Sequence, residues 1–343
     1  MQDGIEVFGQ GPKEHLTRRV KNFRGCSQRL AHLFQPGSFR QEGSPLEWIR
    51  RDQSYTVEVF LTARPHGGRM RGMKKLLTFL VLALLSSAPA FAQLVEPNQI
   101  GLRMGHVHLA VTDVDAHKQF WIGVMGGTLV RNGPLELIQF PGVYIMLRKV
   151  DAALEPPAGT IVNHFGFIVK DFPAELAKWK AANVKIDPTE NPNEVYLNAP
   201  DGIRLEVYGE PALPTPVSMN HIHYNAPDIP GIKTWYTKAF GANPGRRPCI
   251  ACLSRPAMIE AGDLPGVNLS FSGTRTPVVA TKGRSLDHIG FDVINLEEVV
   301  KGLESRGIKI DAPIRQVPNT KLKVAFLSDP WGTYIELTEG LAP

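Results

Sequence analysis

The sequence predicts an α+β protein made of four βαβββ modules joined in two pairs, and three observations carry this. The stretch Gly105 to Asp113 (GHVHLAVTD) recurs as Asn220 to Asp228 (NHIHYNAPD). Looser copies run from Asn163 to Asp171 (NHFGFIVKD) and from Asp287 to Val293 (DHIGFDV). Each copy alternates with period two and is rich in β-branched or aromatic residues, as a half-buried strand is, and a helical pattern follows it. Repetition on this scale implies a fold assembled from copies of one unit.

In order, residues 93–104 form a polar lead-in to the first strand. Asp115 to Met125 carries an apolar helical stripe (Ala116, Phe120, Trp121, Val124) that Gly126-Gly127 terminates. Strands are predicted over Thr128 to Arg131, Leu135 to Phe140 and Val143 to Arg148. After a Pro- and Ala-containing loop, the second module adds a helix from Pro173 to Asn183. Its strands are Val184 to Ile186, Glu194 to Asn198 and Ile203 to Tyr208. Glu210 to Pro216 holds three prolines and reads as a stiff linker. Beyond it the third module has a helix over Gly231 to Phe240 and only two clear strands, Met258 to Ile259 and Val267 to Ser272. The fourth has a helix over Leu296 to Arg306 and strands near Ile308, over Leu322 to Leu327 and over Thr333 to Leu337. The expected domains are 104–210 and 219–340, with 211–218 between them. The stretches Arg246 to Gly262 and Gly273 to Arg284 read as inserted loops on the rim of a cleft.

A hydrophobic content of 43% with 21% charged residues describes a globular chain. The net charge of +5 is unevenly placed. Residues 1–72 hold 12 Lys/Arg against 7 Asp/Glu, whereas residues 93–343 hold 24 against 26. Nucleic acid is therefore not an expected partner of the folded part. Met73-Lys74-Lys75, the apolar run Leu76 to Leu85 and the small-residue stretch to Ala92 have the order of a secretory signal. The run is too short for a comfortable bilayer span. Residues 1–72 are expected to be unfolded upstream sequence, residues 73–92 the signal peptide, and the start Met73 or Met70. The mature protein would then begin at Gln93, lack a membrane span and act in the periplasm or outside the cell. Cys249 and Cys252 lack the strand-then-helix setting of a redox motif; a local disulfide suits an oxidising compartment, and no chemistry is assigned to them.

Six of the seven histidines after residue 92 occupy equivalent first-strand positions: His106, His108, His164, His221, His223 and His288. On a strand, His106 and His108 share one face, while Val107, Leu109 and Val111 share the other. Two modules also end on matching acids, Glu206 and Glu336, each flanked by apolar strand residues where an unpaired carboxylate would be costly. Two histidines and one carboxylate directed into one cleft form a facial set that leaves coordination positions open, as in Fe(II) and Mn(II) enzymes.

From Met104 onward the chain resembles the vicinal oxygen chelate superfamily, which includes glyoxalase I, fosfomycin-resistance enzymes, extradiol dioxygenases and bleomycin-resistance proteins. The resemblance rests on the opening His106 to Asp113, on the helix with Phe120-Trp121 and Gly126-Gly127, and on the closing Pro200-Asp201-Gly202 to Glu206, repeated as Pro330-Trp331-Gly332 to Glu336. It implies two glyoxalase/dioxygenase-like domains and a divalent ion, Fe(II) or Mn(II) before Zn(II). The implied ligands are His106, His164 and Glu206 in the first domain, and His221, His288 and Glu336 in the second. The implied substrate is a small molecule held through vicinal oxygens. The domains would pair within a monomer or through a homodimer.

Glyoxalase I itself is not the expected activity. Its fourth protein ligand is a glutamate, and Met146 and Ser270 stand at about that point. Tyr196 to Gly202, continuing to Glu206, resembles the closing pattern of extradiol dioxygenases, but the histidine that precedes the tyrosine there has no counterpart in Pro188 to Glu194. Tyr196 and His108 are the candidates for orienting substrate or moving protons, and His223 is a candidate substrate contact. The rivals are a metal-free small-molecule binder of the bleomycin-resistance kind and a non-oxidative lyase, epimerase or transferase of the same fold.

Overall fold

A computed structural model describes residues 94–342. The proposed upstream segment and signal peptide lie outside the described residues. No helix among the described residues is long and apolar enough to cross a membrane.

Among the described residues, sixteen strands form two eight-stranded sheets. The first module supplies β1 (Leu102–Val111), β2 (Thr128–Asn132), β3 (Leu135–Phe140) and β4 (Val143–Lys149). The second supplies β5 (Val162–Val169), β6 (Lys185–Pro188), β7 (Glu194–Asn198) and β8 (Arg204–Gly209). The third gives β9 (Val217–Ala226), β10 (Asn243–Pro248), β11 (Met258–Asp263) and β12 (Asn268–Gly273). The fourth gives β13 (Leu286–Val293), β14 (Ala312–Gln316), β15 (Lys323–Ser328) and β16 (Tyr334–Glu339). After each first strand comes a helix: α1 (Val114–Lys118), continued by a π-turn over Gln119–Val124, then α2 (Phe172–Ala181), α3 (Ile229–Phe240) and α4 (Leu296–Ser305).

The repeat motif ends each first strand on a helix cap. The side chains of Asp113, Asp171, Asp228 and Asn295 each accept hydrogen bonds from backbone N–H groups of the first turn, satisfying donors that a helix start leaves orphaned. The π-turn is where Phe120 and Trp121, adjacent in sequence, both turn inward. Trp121 stacks on Phe165 of β5 with ring centroids 5.9 Å apart, so the core runs continuously between the two sheets.

The modules do not pair in the order the repeat suggested. One sheet runs β14-β15-β16-β13-β1-β4-β3-β2 and joins the first module to the fourth. The other runs β10-β11-β12-β9-β5-β8-β7-β6 and joins the second to the third. Every module presents the open edge of its first strand, and such an edge requires a partner. The linker Glu210 to Pro216 is short and lies against the end of β5, with Glu210 N donating to Val169 O and Lys170 N to Pro216 O. It therefore delivers β9 to β5, leaving β1 and β13, from opposite ends of the described chain, to pair with each other. Both junctions are antiparallel. At one, His108 faces His288 and His106 faces Gly290; at the other, His223 faces His164 and His221 faces Gly166.

Two elements differ from expectation. The third module has a third strand, β10, an exposed edge holding two prolines and no β-branched residue, so propensity hid it. What read as one long insertion is thus the hairpin of β10 and β11 with the loop of residues 249–257 that joins them. In the fourth module the second strand falls at Ala312–Gln316, beyond Ile308, which is buried in the core.

Candidate metal centres

The pairing of modules decides which histidines meet. At the first centre, ligand atoms of His106, His108, His288 and Glu336 lie within 4.8 Å of one another. At the second, the same holds for His164, Glu206, His221 and His223. The grouping inferred from the resemblance, His106 with His164 and Glu206, and His221 with His288 and Glu336, is therefore corrected. His106 meets His288 and Glu336, and His221 meets His164 and Glu206, because β1 lies beside β13 and β9 beside β5. All six are buried.

Each centre takes one His-x-His strand and one His-x-Gly strand, and the glycine has a steric reason. A Cβ on Gly290 would lie 2.0 Å from Cε1 of His106, and one on Gly166 would lie 2.1 Å from Cε1 of His221. The imidazole from one strand occupies the space the facing strand leaves empty.

Around Glu336 the carboxylate accepts a hydrogen bond from His288 Nε2 at 2.7 Å, and His106 Nε2 lies 3.5 Å away. The Nδ1 of His288 is held by Asp287 at 2.7 Å. Burial alone would raise Glu336 and lower His288. The neighbouring imidazoles outweigh it and hold Glu336 well below the usual carboxylate range, while Asp287 and Glu336 push His288 up. His108 is driven well down by burial, then by the positive charge that His288 and His106 could carry.

Around Glu206 the plan repeats with different support. Its Oε2 is 2.8 Å from His164 Nε2 and 3.6 Å from His221 Nε2. The backing groups are amides: Asn163 Oδ1 lies 2.7 Å from His164 Nδ1, and Asn220 Oδ1 lies 2.9 Å from His221 Nδ1. The Tyr196 hydroxyl donates to Glu206 Oε2 at 3.1 Å, and Arg204 lies over its ring at 3.6 Å from the centroid. At the equivalent place in the first centre Phe326, opposite Glu336, brings no hydroxyl. Burial would raise Glu206, yet the hydrogen bond with His164 and the charge of His221 and His164 hold it far below normal. Burial, then the Glu206 charge, raises Tyr196 above the normal phenol range.

These residues fit a divalent ion on their own chemistry. The ring nitrogens of His106 and His108 and Nε2 of His221 are buried without a hydrogen-bond partner among the described residues, a costly state that a cation relieves. A partner on Nδ1 that leaves Nε2 facing the carboxylate is how ligating histidines are oriented. Asn163, Asn220 and Asp287 supply that partner, and sequence reasoning missed all three although each immediately precedes a ligand histidine.

Both centres open onto cavities. One of about 430 Å³ is lined by Tyr196, Glu206, His221 and His223 together with Ile229, Ile259 and Phe271. One of about 420 Å³ is lined by His108, His288, Glu336, Phe326 and Tyr334. Cys249 and Cys252, joined in a disulfide, sit on the wall of the former. The seventh histidine, His117, is structural: its Nε2 lies 3.1 Å from Asp201, which also accepts from the backbone and hydroxyl of Thr112 and so ties the second module's closing turn to the first module.

Glu194, two residues before Tyr196 and on its face of the strand, was also missed. It is 1% exposed, and neither carboxylate oxygen has a partner among the described residues. Burial, then the Glu206 charge, raises its pKa to about 8. The folded state then holds this proton more tightly than the unfolded chain, whose glutamates titrate near 4.3. That contribution to stability is full below about pH 4 and declines as the pH rises to about 8. Glu194→Gln keeps the shape and cannot ionise. In metal-free protein its melting temperature should gain on the wild type by about 4 °C or more between pH 5 and pH 8. A gap that does not change with pH would show that Glu194 does not titrate in the folded state.

A family model, the Glyoxalase/Bleomycin resistance protein/Dioxygenase superfamily, matches residues 103–207 and 218–337, and the chain belongs to this superfamily. Among solved structures, glyoxalase I from Zea mays is similar at 18% identity and a TM-score of 0.56, covering 69% of this chain and 92% of that one. A Bacillus subtilis subsp. subtilis str. 168 protein, named as a candidate dioxygenase, is similar at 14% identity and a TM-score of 0.52, covering 72% and 86%. At these identities the likeness is one of fold. A search of curated proteins found no match to this sequence.

Proposed function

We propose that the protein is a divalent-metal-dependent enzyme acting on a small molecule held through two adjacent oxygens, with His164, His221 and Glu206 as its working centre. The observation that carries this choice is Tyr196, whose hydroxyl reaches Glu206 in the lining of a cavity of substrate size. The other centre has Phe326 there. A bound Fe(II), Mn(II) or Zn(II) would supply a Lewis acid and, if iron, a place for O₂ beside the substrate.

The chain's own groups do the rest. Raised above the normal phenol range, Tyr196 stays protonated at neutral pH and can give a hydrogen bond to a substrate oxygen. His223, lowered to about 3 by burial and then by its histidine neighbours, stays neutral and is anchored to Ser272 Oγ at 2.7 Å. Apolar Ile229, Ile259 and Phe271 limit the water around a bound substrate. The signal-like stretch 73–92, together with the Cys249–Cys252 disulfide, supports action outside the cytoplasm.

Elemental analysis of residues 93–343 purified anaerobically, followed by oxygen uptake against a panel of catechols, tests the reading. Bound metal is expected, and Tyr196→Phe should lower turnover by about a hundredfold while metal content stays the same. Protein that retains no divalent metal would overturn the reading. Metal retained without oxygen uptake would move it to the non-oxidative branch.

A further inference from the structure

The second histidine of each His-x-His strand has a different fate at the two centres. His223 is tethered by the hydroxyl of Ser272. The position in β4 that corresponds to Ser272 of β12 is Arg148, which turns toward solvent and approaches Asp287. His108 is left with both ring nitrogens buried and unpartnered among the described residues. Its ring centroid lies 4.4 Å from that of His288 and 6.2 Å from that of His106, and its ligand atom is within 4.8 Å of those of His106, His288 and Glu336. A half-buried imidazole whose two nitrogens are buried and unsatisfied, beside a buried carboxylate and two buried imidazoles, lacks what a cation would provide.

We propose that His108 is a fourth protein ligand at the first centre, giving three histidines and one carboxylate, whereas His223 stays outside the ligand set of the second. This rests on the reading that both centres bind a divalent ion. It makes the centres chemically unlike. The first grips its ion with four protein groups and joins the first module to the last. The second keeps more positions free for substrate.

The test uses the full chain with one centre disabled at a time and Co(II) as the probe, since its visible bands report coordination number. With the second centre removed by Glu206→Gln and His221→Ala, adding His108→Ala should weaken Co(II) binding by about tenfold or more and change the visible spectrum. His108→Gln, which keeps more of the packing, should do the same. With the first centre removed by Glu336→Gln and His106→Ala, adding His223→Ala should change affinity by less than about threefold. If both His108 variants bind Co(II) as before with the same spectrum, or if His223→Ala weakens binding as strongly as His108→Ala, the assignment fails while metal binding stands. If the unmodified chain binds no Co(II), this inference and the metal-dependent function fall together.

Discussion

His164→Ala and His221→Ala are each expected to remove one and the same ion from a chain that otherwise binds two, and the double variant should remove no more. Both imidazoles lie against Glu206, at 2.8 and 3.6 Å, so losing either leaves a buried carboxylate and a single strong nitrogen donor. Once one is gone the other has little left to lose, which is the non-additivity expected of residues that act as a unit. His106→Ala combined with His164→Ala should instead empty both centres, because these residues belong to different sheets. Affinity at an affected centre should fall by about a hundredfold or more, above the range seen when only a backing group is lost. Metal content per chain across the four variants is the measurement. A His164→Ala, His221→Ala double variant that loses two ions would show that these histidines do not share a centre.

That expectation departs from the order of the sequence, and the reason is physical. The strands, the helices and the six histidines were legible because each repeat carries period-two alternation ending in a helix cap, a local signal. The faces were legible too, since His106 and His108 must point together if Val107 and Leu109 are buried, as they are. The partner of each module was not. Joining the first module to the second or to the fourth brings one His-x-His and one His-x-Gly strand together either way, so the motif fits both. The choice is made by the path of Glu210 to Pro216, a matter of chain geometry that alternation does not encode. The backing groups Asn163, Asn220 and Asp287 escaped notice for a related reason: a polar residue beside a histidine gains meaning only once its side chain is seen to reach the ring. Strand β10, held by pairing with β11 along Asn243 to Pro248, is another contact across the chain that local propensity opposes.

The glycines facing the histidines offer the sharpest test of the arrangement, because they touch no ion and bear no chemistry. Gly166→Ala adds one methyl group, placed 2.1 Å from Cε1 of His221, well inside van der Waals contact. The ring cannot move away cheaply: His221 is 4% exposed, and its Nδ1 is fixed by Asn220. Either the imidazole rotates and abandons Glu206, or β5 and β9 separate locally, and overpacking of this kind costs about 1–3 kcal/mol. The expected result is loss of the ion beside Glu206, with affinity down by about a hundredfold, while the centre around Glu336 still binds. Gly290→Ala, whose methyl would fall 2.0 Å from Cε1 of His106, should give the mirror outcome. Gly245→Ala is the control, since its added methyl on exposed β10 meets nothing within 4 Å, and both centres should be unchanged. The selectivity matters more than the loss itself. A general destabilisation would weaken both centres in both variants, whereas steric eviction of one imidazole silences one centre at a time. A Gly166→Ala protein that keeps full affinity beside Glu206 would mean that His221 does not sit over Gly166, and the pairing of β5 with β9 in this register would have to be abandoned.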